Sequence, residues 1–279
     1  MTASQVSHLD LDVIAGDFPA AAPPPLTPGT EGAGAVIASE SFAVGTRVRV
    51  RGAGVGLGRD GTWAEYVLVP DDAVHLVPEK TPDWLVTCFF SPACTAWAAV
   101  HDVARVHGGE RVLVTGASGA VGCLVTQLAV EAGAQVTGLV GRPAKLAHVP
   151  AAATPLLVDD ASVLDTTFDV LIDTVGGHPF EVAVAKVRPG GRAVVLGYSA
   201  GRHVDIDLQK FVFADVSLLP VNLLQRAPGL SDVGDRLLIR LARGELTLPV
   251  QRTHPASLQA ATESLRAGAI VGKLVLLWD

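Results

Sequence analysis

The stretch GASGAVG, residues 116–122, decides the fold of this 279-residue chain. It lies between the apolar run RVLV and the longer run CLVTQLAVEAG, an order that predicts a strand, a tight turn and a helix. Ala117, Gly119 and Gly122 occupy the three small-residue positions of the dinucleotide pattern G-x-G-x-x-G. Such residues permit the turn, let a pyrophosphate approach the backbone and let the helix pack on the strand. An ordinary β-turn-α connection is the alternative.

The next apolar run, QVTGLV, ends at Gly141 and Arg142, where a carboxylate would bond the ribose 2′-hydroxyl of NAD. Arg142, with Lys145 one turn later, suits the dianionic 2′-phosphate of NADPH instead. We therefore expect NADPH as cofactor, with a solvated surface role for Arg142 as the alternative. The other residues expected at the cofactor are Thr95, Ala117, Ser118, Gly119, Ala120, Val121, Gly122, Gly141, Val175, Gly176, Gly197 and Tyr198.

Apolar strands alternate with helices on both sides of this loop. The fold class we predict is therefore α/β, a doubly wound parallel sheet with a smaller β domain before it. The parallel strands are expected at 112–115, 136–140, 156–158, 170–173, 193–197 and 216–219, and the helices include 120–132 and 180–187. After a stiff Pro-rich connector at 20–28, Gly-punctuated runs predict short antiparallel strands within 34–39, 46–50, 62–70 and 73–78.

Composition narrows the classes of function. Hydrophobic residues make up 49 % of the chain and the net charge is -7, with no basic run, so nucleic acid and anionic membranes are not expected partners. We see no secretory signal and no apolar stretch of about 18 residues that could span a bilayer. The three cysteines lack a C-x-x-C spacing, so we expect them to pack in apolar surroundings of a cytoplasmic protein.

Four motifs carry a family resemblance: RVLVTGASGAVG, DVLIDTVGG, RPGGRAVVLG and VGKLVLLWD. Together they resemble the medium-chain dehydrogenase/reductase superfamily, most closely its zinc-free quinone-oxidoreductase and enoyl-reductase branch. The resemblance implies a GroES-like substrate domain from residues 1–90 and 221–279, and a Rossmann NADPH-binding domain from 91–220. It also implies a homodimer, formed through the edge strand in ADVSLLPVNLL.

The zinc-ligand positions depart from the family's alcohol dehydrogenases. Ser7 stands where those enzymes carry a ligand Cys, Thr30 stands where they carry a ligand His, and Leu9 replaces the hydroxyl residue of their proton relay. Only Glu31 of the His-Glu pair is present, and one carboxylate does not complete a zinc site. We therefore expect no metal.

The β domain departs from the family at its start. Family members carry further strands before the segment equivalent to Val6, so we expect a shortened barrel with an exposed edge. This predicts a wide cleft for a bulky, apolar, polyketide-like substrate. Its expected lining includes Leu9, Phe18, Trp63 and Phe90.

Hydride transfer to a polarised double bond needs placement and a hydrogen-bond donor for the developing enolate. In the zinc-free branch the Ser7 position is usually Asn and faces the substrate, so Ser7 is the expected polar contact. His8, Asp10 and Tyr198 are further candidates, with a loop histidine and a local cap as the alternatives for the first two. Tyr66 is expected to pack the β domain. The sequence predicts an NADPH-dependent reductase of an activated C=C or a quinone; a non-redox cyclase or isomerase and a non-catalytic nucleotide-binding module are the alternatives.

Overall fold

The computed structural model describes residues 1–78 and 80–278, which pack into two compact units. Unit 1 consists of Met1–Phe90 and Pro249–Asp279, and unit 2 of Ser91–Leu248. The expected α/β class with a GroES-like domain and a parallel Rossmann-type sheet is confirmed. Within the described residues, every helix is too short or too polar to cross a membrane.

The strands in chain order are β1 (Ala3–Val6), β2 (Glu31–Ala35), β3 (Arg47–Arg51), β4 (Val74–Leu76), β5 (Arg111–Thr115), β6 (Gln135–Val140), β7 (Thr154–Leu157), β8 (Phe168–Asp173), β9 (Val187–Val195), β10 (Ser217–Pro220), β11 (Val250–Thr253) and β12 (Lys273–Leu277). The α-helices are α1 (His8–Ala15), α2 (Asp83–Val86), α3 (Phe90–Trp97), α4 (Ala120–Glu131), α5 (Val158–Ala161), α6 (Gly177–Val184), α7 (Leu208–Ala214), α8 (Leu223–Arg226), α9 (Ser231–Ala242) and α10 (Leu258–Arg266). A π-helix, Ala98–Val103, follows α3.

Unit 2 is built on a parallel sheet in the order β10-β9-β8-β5-β6-β7. The chain runs outward from β5 to β7 and returns on the other side of β5 with β8. The topological switch point therefore lies between the paired strands β5 and β8. In sheets of this kind, ligands bind at the carboxyl ends of the strands beside that point. The six predicted strands are confirmed, with ends that shift by a few residues.

Two predicted elements in unit 2 extend into residues that form the other kind of structure. Helix α6 ends at Val184, so the predicted helix 180–187 runs too far and Val187 already opens β9. Val158, predicted as the end of a strand, begins α5. In both places apolar residues continue from a helix into a strand or the reverse, and periodicity alone does not show where the backbone changes.

Unit 1 is built on a second sheet, in the order β11-β12-β1-β2-β3-β4. Strand β1 pairs antiparallel with β12 on one side and β2 on the other, so the predicted return of the chain's last strand to the β domain is confirmed. The two edges of this sheet are β4 and β11, and β1 is an inner strand.

Residues 62–70, predicted as a strand, form no strand in the described structure. Side chains hold the start of the segment: Thr62 Oγ1 donates to the carbonyl of Glu31 at 2.9 Å, and Trp63 Nε1 donates to the carbonyl of Gln5 at 2.8 Å. Tyr66 is 69 % exposed, so its expected packing role is wrong. Alternating residues predict an amphipathic segment, but a strand also needs a neighbouring backbone to pair with.

Residues 221–248 belong to unit 2 by their packing, whereas the family resemblance predicts them in the substrate domain. The Gln127 side-chain amide donates to the carbonyl of Thr247 at 2.8 Å and accepts from its backbone N–H at 2.9 Å. Arg240 of α9 also forms an ion pair with Glu131 at the end of α4, at 2.5 Å. These contacts attach α9 to the parallel-sheet unit.

Candidate functional site

The glycine loop joins β5 to α4, as the sequence predicts. Gly119 is the residue before α4 and caps it with an extended backbone and no side-chain bond. The amides of the first turn therefore point outward from a helix N-terminus, an arrangement that binds phosphate. A Cβ on Gly122 would lie 2.2 Å from the carbonyl oxygen of Gly116, so the loop and helix fit together only with glycine there.

The residues of the glycine loop differ in how far they are exposed to a ligand. Ala117 and Ser118 are buried, and a Cβ on Gly138 of β6 would lie 2.7 Å from the Cβ of Ala117. The Ala117 side chain therefore fills the space between the loop and β6. The residues that remain partly exposed, and so accessible to a cofactor, are Gly116, Gly119, Ala120 and Val121.

Two cations follow β6. Arg142 is exposed and precedes a 3-10 helix, Pro143–His148, in which Lys145 is half-buried. Burial, and then the neighbouring positive charge of Arg142, lower the pKa of Lys145 from its ordinary value. A dianion bound beside both groups would relieve their mutual repulsion, so this loop has the electrostatics of a phosphate site.

Asp173, a residue absent from the predicted site, is buried at the end of β8. Its Oδ1 accepts a hydrogen bond from Thr115 Oγ1 at 2.5 Å, and its Oδ2 accepts one from the backbone N–H of Gly176 at 2.9 Å. Burial raises the pKa of Asp173, and these hydrogen bonds oppose the increase. The first bond joins the carboxyl ends of β5 and β8 at the switch point, and the second holds the loop that follows β8.

The loop after β9 lies against the loop after β8. The backbone N–H of Ala200 donates to the carbonyl of Val175 at 2.7 Å, and Gly176 forms an isolated bridge with Gly201. Tyr198 is about half exposed, and the guanidinium of Arg202 lies 5.6 Å from its ring centroid. The structure thus brings three of the predicted residues, Val175, Gly176 and Tyr198, to one edge, with Gly197 beside them.

The remaining unit 2 candidates lie elsewhere. Gly141 is exposed at the end of β6, next to Arg142. Thr95 is half-buried within α3, and its cofactor contact stays a prediction.

Ser7 and Asp10 form a reciprocal cap at the start of α1 in unit 1. Ser7 Oγ donates to Asp10 Oδ2 at 2.6 Å, and the Ser7 backbone N–H donates to the same oxygen at 2.8 Å. Asp10 is 1 % exposed, and its Oδ1 accepts from the backbone N–H of Thr30 at 3.1 Å. Burial raises the pKa of Asp10, while these hydrogen bonds and the charge of Lys273 oppose the increase. His8 is the exposed first residue of α1.

The positions of the family's zinc ligands are engaged in other bonds. The Thr30 hydroxyl accepts from Gln5 Nε2 at 2.9 Å, and buried Glu31 pairs with Arg51 at 3.5 Å. Residues 1–78 and 80–278 contain no group of three His, Cys, Asp or Glu residues that could hold a metal. The donors a zinc ion prefers, thiolate and imidazole, are missing at Ser7 and Thr30, so these residues do not fit zinc.

The cysteines and the expected pocket residues have clear placements. Cys88, Cys94 and Cys123 are all buried, as expected, and burial raises the pKa of Cys88 to about 12 and that of Cys123 to about 11. Phe90 is 2 % exposed and cannot line a pocket, because it is packed in the core beneath the guanidinium of Arg51 at 3.8 Å. The other expected lining residues, all partly exposed, are Leu9, Phe18 and Trp63.

Two family models match the chain. The alcohol dehydrogenase GroES-like domain matches residues 1–79, and the zinc-binding dehydrogenase model matches residues 120–228. The first match covers β1–β4, and the second covers α4 through α8. Together they account for most of the chain, in the order that the sequence motifs predict.

Individual relatives are similar at a distance. Prostaglandin reductase-3 from Mus musculus is 27% identical over 97% of this chain and 78% of its own length. A putative quinone oxidoreductase, YhfP, from Bacillus subtilis is 27% identical over 71% of this chain, which spans 64% of that relative. The crystal structure of the yhdH oxidoreductase from Salmonella enterica, in complex with NADP, has a TM-score of 0.78 at 22% identity and covers 100% of this chain and 90% of its own. This last likeness shows the fold.

Proposed function

We propose that this chain, which belongs to the medium-chain dehydrogenase/reductase superfamily, is an NADPH-dependent reductase of an activated C=C bond or a quinone. The observation that carries the proposal is the glycine loop at the switch point, followed after β6 by Arg142 and Lys145. A relative named prostaglandin reductase and another named quinone oxidoreductase support reduction as the reaction. NADPH supplies the hydride when it is bound.

Cofactor choice rests on the two cations after β6. A guanidinium makes charge-assisted, bidentate bonds to phosphate oxygens, and Lys145 adds a second positive charge beside it. NADH has a hydroxyl where NADPH has the 2′-phosphate, so it gains nothing from either cation. The NADP bound in the Salmonella structure agrees with this choice.

Ser7 is the proposed polar contact to the substrate. Its hydroxyl hydrogen is directed to Asp10 Oδ2 when that carboxyl is ionised. When Asp10 is protonated, the carboxyl donates to Ser7 Oγ and the serine hydrogen turns toward another acceptor, such as a substrate carbonyl. Asp10 thereby positions Ser7; burial raises the pKa of its carboxyl, and the hydrogen bonds and the charge of Lys273 oppose the increase.

Zinc is not part of this proposal. Ser7 and Thr30 supply weak hydroxyl donors, and Glu31 is held by Arg51. Reduction of an enone or quinone adds a hydride and a proton, and neither addition requires a metal ion. Activity is therefore expected to be unchanged by chelators, with elemental analysis of the purified protein as the check.

The substrate is proposed to be bulky and mainly apolar. Leu9, Phe18 and Trp63 retain partly exposed side chains in unit 1, and contact with aromatic and aliphatic area supplies most of the affinity for such molecules. A panel that compares a tricyclic quinone with a small enone of matched reactivity tests this point. Equal kcat/KM values for both would contradict it.

A homodimer is the proposed assembly. Strand β10 lies at the edge of the parallel sheet, and large apolar side chains on the adjacent α7 are exposed, including Val212 and Phe213. Pairing β10 with its copy across a two-fold axis would satisfy the edge. Light scattering should give a dimer mass for the native chain and a monomer mass for Leu218→Lys. Leu68→Lys, an exposed site in unit 1, is the control that should remain dimeric.

The deciding experiment measures absorbance at 340 nm with NADPH and a panel of enones and quinones. Arg142→Ala should weaken NADPH binding by about 10- to 150-fold and leave NADH binding nearly unchanged, the range expected for a charge-assisted contact. Equal affinity of the native protein for both cofactors would contradict the cofactor assignment. Substrate converted to product while bound NADPH is not consumed would instead indicate the cyclase or isomerase alternative, and NADPH binding without any product would indicate the nucleotide-binding module.

A further inference from the structure

Asp173 is a buried carboxylate that plays no part in the reaction proposed above. None of its surface is exposed, and burying a carboxylate is unfavourable unless hydrogen bonds compensate it. Its carboxylate accepts hydrogen bonds from Thr115 Oγ1 and from the backbone N–H groups of Val175 and Gly176. The geometry of these donors therefore fixes where the carboxyl group lies.

Thr115 links this carboxylate to the neighbouring loop. Its hydroxyl donates to Asp173 and accepts from the backbone N–H of Thr174 at 2.9 Å. The hydroxyl of Thr174 in turn donates to the backbone carbonyl of Thr115 at 2.8 Å. We call these three residues the strand-end clasp, because they join the last residues of β5 and β8.

The clasp packs tightly against the two loops beside it. A Cβ on Gly116, the first residue of the glycine loop, would lie 2.5 Å from Thr174 Oγ1. A Cβ on Gly197 would lie 1.9 Å from the carbonyl oxygen of Thr174. Since Gly116 and Gly197 both pack closely against Thr174, the loop after β9 keeps its position relative to the glycine loop only while the clasp is intact.

We propose that Asp173 is a positioning residue for the nicotinamide half of the cofactor. Through the clasp it holds the loops at 174–177 and 196–201 in register with the glycine loop, at the strand ends where the nicotinamide ribose is expected. The adenosine half is assigned to Arg142 and Lys145, which follow β6 and lie outside the clasp. This inference rests on the proposed function, because it takes NADPH as the ligand.

Two ligands separate positioning from a general loss of structure. Calorimetric titration with NADPH reports both halves of the site, and titration with 2′,5′-ADP reports the adenosine half alone. Asp173→Asn places an amide N–H₂ against donors, so we expect NADPH affinity to fall by about tenfold or more. The affinity for 2′,5′-ADP should change by less than about twofold.

Thr115→Val provides a milder variant that retains the carboxylate and the side-chain volume. It removes the donor to Asp173 and the acceptor for the Thr174 N–H, and it should weaken NADPH by about threefold to tenfold, again without weakening 2′,5′-ADP. This variant carries the test if Asp173→Asn does not fold.

Asp169→Asn is the matched control. Asp169 lies in the same strand, where it accepts from the Arg111 backbone N–H at 2.8 Å and from Arg188 Nε at 2.6 Å. It is four residues from Asp173, near the start of β8, and its loss should leave the affinities for both ligands unchanged. Melting temperatures of all three variants show whether a difference in binding merely follows stability.

The outcomes divide cleanly. Selective loss of NADPH affinity in the clasp variants supports the inference. Equal weakening of both ligands, or unchanged NADPH affinity in Thr115→Val, would overturn it while the proposed function stands. A native protein that binds neither ligand would overturn the proposed function and this inference with it.

Discussion

Asp10 and Asp173 are two buried carboxylates, one in each unit, with nearly the same chemistry and different consequences. Each is at most 1 % exposed, each accepts from a hydroxyl and from backbone N–H groups, and burial raises the pKa of each. Asp10 bonds mainly to Ser7, three residues before it, and adds one long-range bond to Thr30. The hydroxyl partner of Asp173 is Thr115, which lies in another strand.

The difference shows how one kind of bond serves two purposes. The bonds of Asp10 begin a helix and join it to the strand that starts at Glu31, and the cation Lys273 lowers the cost of burying its charge. Asp173 joins two strand ends whose loops form the candidate cofactor site. Loss of Asp10 should therefore be seen first in folding stability, and loss of Asp173 first in cofactor binding.

The largest effect is expected at Gly197, which packs against the backbone of Thr174, the residue after Asp173. Gly197→Ala would place a Cβ 1.9 Å from the Thr174 carbonyl oxygen, so the loop or the strand must move, at a cost of roughly 3 kcal/mol. We expect lower stability in urea unfolding and NADPH binding too weak to titrate.

The contrasting variant is Gly16→Ala, at the end of helix α1, whose first turn contains Asp10. Its Cβ meets open space, and only its left-handed φ of 74° opposes the change, by roughly 1–2 kcal/mol. NADPH affinity should not change. A larger loss of stability in Gly16→Ala than in Gly197→Ala would contradict the comparison.

The next largest effect is expected from loss of the hydrogen bond between the Thr30 backbone N–H and Asp10. Asp10→Ala leaves the buried N–H of Thr30 without its acceptor, and we expect the free energy of unfolding to fall by about 2 kcal/mol. Ser7→Ala removes the helix cap and the hydroxyl bond to Asp10 Oδ2, which keeps its backbone N–H donor, and should cost about 1 kcal/mol. Urea unfolding of both variants measures the difference. If Ser7→Ala proved the more damaging, the link to Thr30 would contribute little.

Much of the parallel sheet could be predicted from the sequence because its strands are buried on both faces. Residues such as Val112, Leu113 and Val114 form a continuous apolar run, and the small residues at 117, 119 and 122 mark the turn that follows. These signals are local. The segment 62–70 looked equally convincing, but its pattern could not show that no neighbouring strand pairs with it.

The candidate site could likewise be predicted from the sequence only where its contacts are local. The spacing of Ser7 and Asp10 is that of a helix cap, and local capping was one of the two interpretations of Asp10. Asp173 gave no comparable signal, because its partner Thr115 is 58 residues earlier and becomes adjacent only when β8 pairs with β5. Close packing between loops, as at Gly197 and Thr174, is likewise a property of the folded chain.

A smaller effect concerns pH. The folded-state pKa values of Asp10 and Asp173 lie above their ordinary value of 3.8. The two carboxyl groups therefore bind protons more tightly in the folded chain than in the unfolded chain. Stability from each group is fully present below about pH 4 and is lost as the pH rises through the raised pKa. Asp10→Asn should therefore flatten the decrease in unfolding free energy above pH 4, as measured in urea at a series of pH values. A steeper decrease in the variant would contradict this sign.

The smallest effect separates the two acids. Lys273 lowers the pKa of Asp10, but it is not among the causes that act on Asp173. Lys273→Met should raise the pKa of Asp10 further and move its part of the stability decrease to higher pH, with a change of less than about 1 kcal/mol at neutral pH because the lysine is one of several opposing influences. Introduced into Asp10→Asn, the same substitution should leave the pH dependence unchanged. The measurement is again urea unfolding across pH, in native, single and double variants. A shift that persists in the double variant would show that Lys273 acts on another group, and the contrast between a cation-supported Asp10 and a clasp-held Asp173 would fail.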